Sequence, residues 1–161
     1  MTTKKANQEP PLATTLLPAE PTDVRELDEL WSFVIRKINQ AWLWLALCRR
    51  TRQVIAYAIG DRSCKTCQCL WDAIPVAYRA AHCFHDFWEA YAAVLPPDQH
   101  TAVGKDSGQT NHGERCNNTL RQRLARLVRK SLSFSKSAIM HECCIKLFLA
   151  RYNRERAAIL G

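Results

Sequence analysis

The sequence predicts an α/β fold: a mixed sheet with a three-strand antiparallel meander, flanked by helices. Three observations carry this reading. Three extended segments crowd into residues 27–59 with only short polar breaks between them. Helical and extended stretches then alternate as far as residue 103. The net positive charge is confined to the last part of the chain. Residues 1–113 hold 12 Lys+Arg and 12 Asp+Glu, whereas residues 114–161 hold 11 and 3, which accounts for the formal net charge of +8.

Residues 1–25 contain four of the seven prolines and no periodic apolar pattern, and are expected to be a flexible leader. Residues 26–161 then form one domain. Leu27–Ile38 alternates around Trp31, Phe33 and Ile35, Ala41–Cys48 is apolar throughout, and Gln53–Ile59 is rich in Val, Ile and Tyr. The breaks at Asn39-Gln40 and Arg49–Arg52 are too short for a parallel crossover, so the three segments read as a meander. Cys64–Ala73 reads as a helix stopped by Pro75. Ala81–Asp86 reads as a short buried strand ending in a carboxylate, Trp88–Leu95 as a helix closed by Pro96-Pro97, His100–Val103 as a strand and Gly104–Gly113 as a polar loop. Leu120, Leu124, Leu127 and Val128 mark a basic helix with one apolar stripe, and Ala138–Asn153 reads as another helix. Three meander strands followed by helix, strand, helix, strand and helices is the order of the RNase H-like fold.

A chain of 161 residues has room for one domain with a sizeable core. A sequence pI of about 9.3 favours a polyanionic partner. No apolar run approaches the roughly 18 residues that span a bilayer, and the N-terminus lacks a secretory signal pattern. The expected setting is cytoplasmic, associated with the nucleoid. Among the eight cysteines, Cys64, Cys67 and Cys69 with His82, Cys83 and His85 downstream raise the question of zinc. There is no second C-x-x-C pair, and free cysteine commonly behaves as a small buried hydrophobe.

The chemistry rests on three carboxylates. Asp28 lies on the first strand, Asp86 ends the later strand and Glu114 opens the basic helix. In an RNase H-like sheet those two strands are neighbours, and a C-terminal helix can bring in the third group. Three converging carboxylates call for cations, and Mg²⁺ suits them as a hard ion that takes oxygen ligands and keeps waters for substrate phosphates. Each residue alone has a plainer reading. Asp28, beside Glu29, can be a solvated charge; Asp86 can cap the following helix; Glu114 can complement a helix dipole. Glu114, Asn117 and Arg121 stand at i, i+3 and i+7 and share one helix face. Arg123, Arg126, Arg129, Lys130 and Lys136 add further candidates for phosphate contact.

At these residues the chain resembles the insertion-sequence-one family of transposases, DDE-type recombinases of bacterial mobile elements. Leu27-Asp28-Glu29-Leu30-Trp31-Ser32-Phe33-Val34 is similar to the family's first-aspartate strand, and Phe84-His85-Asp86-Phe87-Trp88-Glu89-Ala90-Tyr91 to its second-aspartate segment. Glu114-Arg115-x-Asn117-Asn118-x-Leu120-Arg121-x-Arg123 with Arg129-Lys130 and Ser133-Phe134-Ser135-Lys136 resembles its glutamate helix and tail. The resemblance covers about residues 27–153 and implies that Asp28, Asp86 and Glu114 are both the catalytic and the metal-binding triad, holding Mg²⁺ or Mn²⁺ as two ions. It implies cleavage of DNA at the element ends and strand transfer to target DNA, by a homo-oligomer assembled on DNA. Complete family members carry an N-terminal zinc-binding and helix-turn-helix region. Here a Pro-rich leader stands before the catalytic segment, so the chain is expected to be the downstream reading-frame product, with the upstream-frame recognition protein as a candidate partner. The main alternative is a non-catalytic DNA-binding fragment or regulator. A general RNase H-like nuclease and a zinc-binding interaction module are the remaining rivals.

Overall fold

The computed structural model describes residues 2–127 and 132–161. Its centre is a five-stranded mixed sheet of β1 (Val24–Leu30), β4 (Trp42–Cys48), β5 (Val54–Gly60), β6 (His82–His85) and β7 (His100–Ala102), in the order β5-β4-β1-β6-β7. β1, β4 and β5 pair antiparallel, which is the expected meander, and β1, β6 and β7 pair parallel. Helices cover both faces, and this architecture is compatible with an RNase H-like fold.

β4 shows why the sheet is a middle layer. Its residues are apolar throughout because both of its faces are buried. Its polarity does not alternate, yet its side chains still alternate between two cores. Trp44, Ala46 and Cys48 join Leu27, Ile55, Leu70 and Tyr91 on one face. Leu43, Leu45 and Leu47 join Leu30, Leu120, Ile145 and Leu149 on the other. The first core lies under α2 (Cys64–Ala73), α3 (Val76–Arg79) and α4 (Glu89–Val94). The second lies under α5 (Asn111–Arg123) and α6 (Ala138–Leu160). Each fully buried Leu or Ile contributes about 1.5–3 kcal/mol, so β4 is the strand whose packing both layers share.

The first extended segment does not run from Leu27 to Ile38. β1 ends at Leu30, and the chain then forms a separate hairpin of β2 (Phe33–Val34) and β3 (Arg36–Gln40). Ile35 makes the reversal at φ 66°. The cause lies far downstream, where Phe134 packs on Phe33 at 5.6 Å and Ser135 O accepts from Ile35 N at 2.7 Å. His141 fastens the same junction. Ser32 Oγ donates to Ala41 O, so His141 Nε2–H donates to Ser32 Oγ (3.0 Å) and Nδ1 accepts from Ser135 Oγ (2.6 Å). Burial holds this imidazole below its ordinary pKa, in keeping with a neutral ring.

The basic helix also departs from expectation. It starts at Asn111, inside the stretch read as a polar loop, and stops at Arg123. Leu124 is extended (φ −112°, ψ 103°), and a 3-10 turn at Ala125–Leu127 brings Leu127 into the second core. The stripe Leu120, Leu124, Leu127 is therefore apolar packing, as expected, but not one continuous helix. Val128 lies outside the described residues.

α6 continues to Leu160, past the expected end at Asn153. Asn153 is fully buried, with Oδ1 accepting from Val54 N and Nδ2 donating to Val54 O, each at 2.8 Å. The side chain thus stitches α6 to β5. Within the Pro-rich leader, α1 (Thr2–Gln8) packs along α6, with Ala6 buried and Lys146 Nζ donating to Ala6 O at 2.8 Å. Among the described residues no helix is long and apolar enough to cross a membrane.

Candidate active site

The parallel register sets the two aspartates side by side. Arg25 pairs with Cys83 and Glu26 with Phe84. Continuing that register by two residues brings Asp28 level with Asp86, the first residue beyond β6. Asp86 Oδ1 accepts from Trp88 N at 2.9 Å in a turn just ahead of α4, whose N-cap is Trp88 and has no side-chain cap bond, so Asp86 does not cap that helix as its plainer reading expects.

The third carboxylate is positioned by a buried charge. Glu26 is 1% exposed on the same face of β1 as Asp28. Its Oε1 pairs with Arg49 Nε at 2.8 Å, and its Oε2 accepts from Gly113 N at 2.8 Å. This bond pins the first turn of α5 to β1. A Cβ on Gly113 would lie 3.7 Å from Asp28 Cβ, so the helix start rests directly against the strand. Glu114 completes that first turn, and Asn117 follows one turn on. Asn117 is buried, and its Nδ2 donates to Asp28 Oδ2 at 2.6 Å.

Asp28, Asp86 and Glu114 line one cavity of about 200 Å³, together with Arg62 and Lys105. An adjoining cavity of about 220 Å³ carries Asp28 and Glu114 on to Asn118 and Arg121. The electrostatics are those of crowded carboxylates. Asp28 is pushed up to about 7, first by burial, then by Glu29, Asp86 and Glu114, while its hydrogen bond from Glu29 N works the other way. Glu29 points to the opposite face of β1 from Asp28. There it accepts from Tyr91 Oη at 2.6 Å and pairs with Arg62. The Arg62 guanidinium lies 3.8 Å from the Trp88 ring centre and 4.6 Å from that of Trp42, which holds it at the cavity wall.

The remaining expected contacts scatter. Arg123 forms an ion pair with Glu155 at 3.1 Å and stacks over Phe148, on a different side of α5. Arg126 and Lys136 line a separate cavity of about 450 Å³. Arg129 and Lys130 lie outside the described residues. Asn117, expected as a DNA contact, is turned inward onto Asp28. Lys105 and Arg62 are the residues that sequence reasoning missed. Lys105 sits in the stretch read as a plain polar loop, and nothing in its neighbours marks it. Arg62 is recognisable only once Trp42 and Trp88 are seen to enclose it.

The cysteine cluster does not converge. Cys64 and Cys69 are exposed on α2, whereas Cys67 is buried, its thiol pushed up to about 12 by burial. His82 bonds to Thr101 and His85 to His100 instead. Among the described residues, no three His, Cys, Asp or Glu side chains are drawn together tightly enough to form a metal cage by themselves.

Comparison with known proteins gives a consistent answer. The sequence model of a family described as IS1 transposase matches residues 23–154. Insertion element iso-IS1n protein InsB of Shigella dysenteriae is 40% identical over 127 residues, covering 79% of this chain and 94% of that protein. Insertion element IS1 protein InsB of Shigella flexneri is 38% identical over 124 residues, covering 77% and 92%. Insertion element IS1 4 protein InsB of Escherichia coli K12 is 36% identical over 124 residues, covering 77% and 72%.

Proposed function

The chain belongs to the IS1 transposase family and serves the transposition of an insertion element, and on that premise we propose that it carries a DDE catalytic centre made of Asp28, Asp86 and Glu114. The observation that supports this most is the shared cavity in which the three carboxylates meet, with Asp28 pushed up to about 7 by burial and by its neighbours' charge. Arg62 in this cavity is paired with Glu29 and leaves Lys105 beside three carboxylates, so burial and like charge still penalise the ionised Asp28, and a bound cation relieves that penalty. Oxygen donors alone suit Mg²⁺ or Mn²⁺. Such ions bind through one or two carboxylates and otherwise keep water and substrate phosphate, so a tight protein cage is not required. Held by Asp28, Asp86 and Glu114, such ions would supply activation of the attacking oxygen and stabilisation of the leaving one.

The protein's own groups have separable tasks. Asp28, Asp86 and Glu114 hold the ions. Asn117 fixes the Asp28 carboxylate through its amide. Arg121 and Lys105 bear on the scissile phosphate, and Arg62 closes the wall beside it. In the first step water attacks phosphorus at the element end, the P–O3′ bond breaks, and the released 3′-oxygen takes up a proton. In the second, that 3′-hydroxyl attacks a target phosphodiester; a new P–O3′ bond forms while the target's own 3′-oxygen leaves. No covalent link to the protein is formed. DNA is the partner, and assembly as a homo-oligomer on DNA, with an upstream-frame recognition protein supplying end specificity, completes the proposal.

The test is Asp86→Asn. Mg²⁺-dependent cleavage of an element-end duplex should disappear while DNA binding stays within about twofold. Undiminished cleavage by that variant would overturn the assignment. Wild type that binds the duplex and never cuts it would favour the non-catalytic DNA-binding reading.

A further inference from the structure

α5 carries charge on two opposed flanks. Glu114, Asn117 and Arg121 form one stripe toward the carboxylate cavity, and His112, Arg115 and Thr119 repeat the same i, i+3, i+7 spacing on the other side. That second stripe lines a cavity of about 350 Å³, closed by Arg52 from the β4–β5 turn and by Tyr152 and Arg156 from α6. Three guanidinium groups from three elements therefore face one space, and none of the residues lining it is Asp or Glu.

The cavity is electrostatically incomplete. Among the described residues, Arg52, Arg115 and Arg156 form no ion pair with a carboxylate, whereas Arg49, Arg50, Arg62, Arg123, Arg151 and Arg154 each do. Arg156 Nε and His112 Nδ1 are buried atoms with no hydrogen-bond partner among the described residues. Buried polar atoms of this kind call for an acceptor or donor that the protein does not supply. Burial first, and then the charges of Arg52, Arg49 and Arg115, hold His112 below its ordinary pKa, against the pull of Glu26. Glu26 itself is already engaged by Arg49 and by the Gly113 N–H. Arg52 adds a second sign. It sits at φ 60°, a conformation that glycine takes more readily, so the turn keeps a long cationic side chain at a conformational cost.

We infer that Arg52, Arg115 and Arg156, with His112, form a phosphate-binding pocket for the DNA backbone on the flank of α5 away from the carboxylates. The identity of the anion as DNA rests on the transposase reading; the pocket's demand for an oxyanion rests on its own geometry. Three forked donors suit the oxygens of a phosphate, and their placement lets one helix touch DNA on both sides, positioning the duplex without reading its sequence.

The experiment is a fluorescence-anisotropy titration of full-length protein with a labelled duplex, without divalent metal and over a range of salt. The Arg52→Gln/Arg115→Gln/Arg156→Gln variant should bind about tenfold more weakly, and its log K against log salt slope should fall by about 1 for each phosphate that is no longer neutralised. A charge-matched control, Lys65→Gln/Arg151→Gln/Arg154→Gln, should weaken markedly less. Arg52→Gly relieves the turn, so it should melt no lower than wild type and still bind severalfold more weakly. This variant carries the test if the triple variant does not fold. A folded triple variant, or a folded Arg52→Gly, with wild-type affinity and slope would overturn the pocket, as would an equal weakening in the charge-matched control. Duplexes with and without a 5′-phosphate separate a terminal monoester from an internal phosphodiester. A preference for the phosphorylated end that the triple variant loses identifies the former; equal binding with the triple-variant defect retained identifies the latter. Wild type that binds DNA but never cuts it would count against the catalytic reading alone.

Discussion

The Asn117 amide donates to the Asp28 carboxylate at 2.6 Å, joining β1 to α5 across 89 residues of chain. Because Asp28 faces the cavity beside Asp86 and Glu114, this bond ties the orientation of a candidate metal ligand to the seating of the helix that bears another. Asn117→Ala should therefore lower strand joining by about tenfold or more while leaving DNA affinity within about twofold. Parallel joining and binding assays on the one variant check this. Equal losses in both would make Asn117 a DNA contact, as its position on the helix first suggests.

Asp28 gives a stability prediction with a definite sign. Folded, it keeps its proton up to about 7, whereas an unfolded Asp releases it near 3.8. Between those values the folded state binds more protons, so the metal-free protein loses stability as pH rises toward 7. Asp28→Asn should abolish that slope and stabilise the metal-free protein at pH 8 by up to roughly 4 kcal/mol. Denaturant titrations in a chelating buffer at pH 5 and pH 8 measure it. The same variant should be inactive, so the site trades stability for function.

Arg49 is predicted to matter for folding through Glu26. The Glu26 side chain is fully buried between Arg49 Nε and the Gly113 N–H. Arg49→Ala leaves that carboxylate without its cation and should destabilise the protein by about 3 kcal/mol. Replacing both residues together, Arg49→Met with Glu26→Gln, should recover part of the loss, which equilibrium unfolding can show.

Two arginines on the same helix should separate. Arg121 lines the cavity beside Glu114 and Asn117. Arg123 is bound to Glu155 and stacked over Phe148. Arg121→Ala should reduce strand joining severalfold, and Arg123→Ala should leave it near wild type with little change in melting temperature. Joining rates for the two variants, at matched protein concentration, decide it.

What could be read from the sequence was what local pattern encodes. The unbroken apolar run of β4 marks a strand buried on both faces, and Pro75 and the Pro96-Pro97 pair close their helices where expected. Acidic residues on the first strand, at the end of the later strand and at a helix head make Asp28, Asp86 and Glu114 candidates, and the family resemblance is what groups them as a triad. Features set by distant partners were not legible. The β2–β3 hairpin depends on Phe134 and Ser135, the docking of α1 depends on α6, and the break at Leu124 depends on Leu127 reaching the second core. Helical spacing assigned Asn117 to the right face of α5, but only the register of β1 against that face reveals that it meets a carboxylate. Arg62 and Lys105 escaped because their neighbours in sequence are not their neighbours in space.

The central claim is that the three carboxylates act together on phosphodiesters. The most direct test is Mg²⁺- or Mn²⁺-dependent joining of a pre-cleaved element-end duplex to plasmid DNA by wild type and by Glu114→Gln. Joining by wild type that vanishes in Glu114→Gln, with salt-sensitive DNA binding unchanged, is the predicted result. Equal joining by both proteins would contradict it.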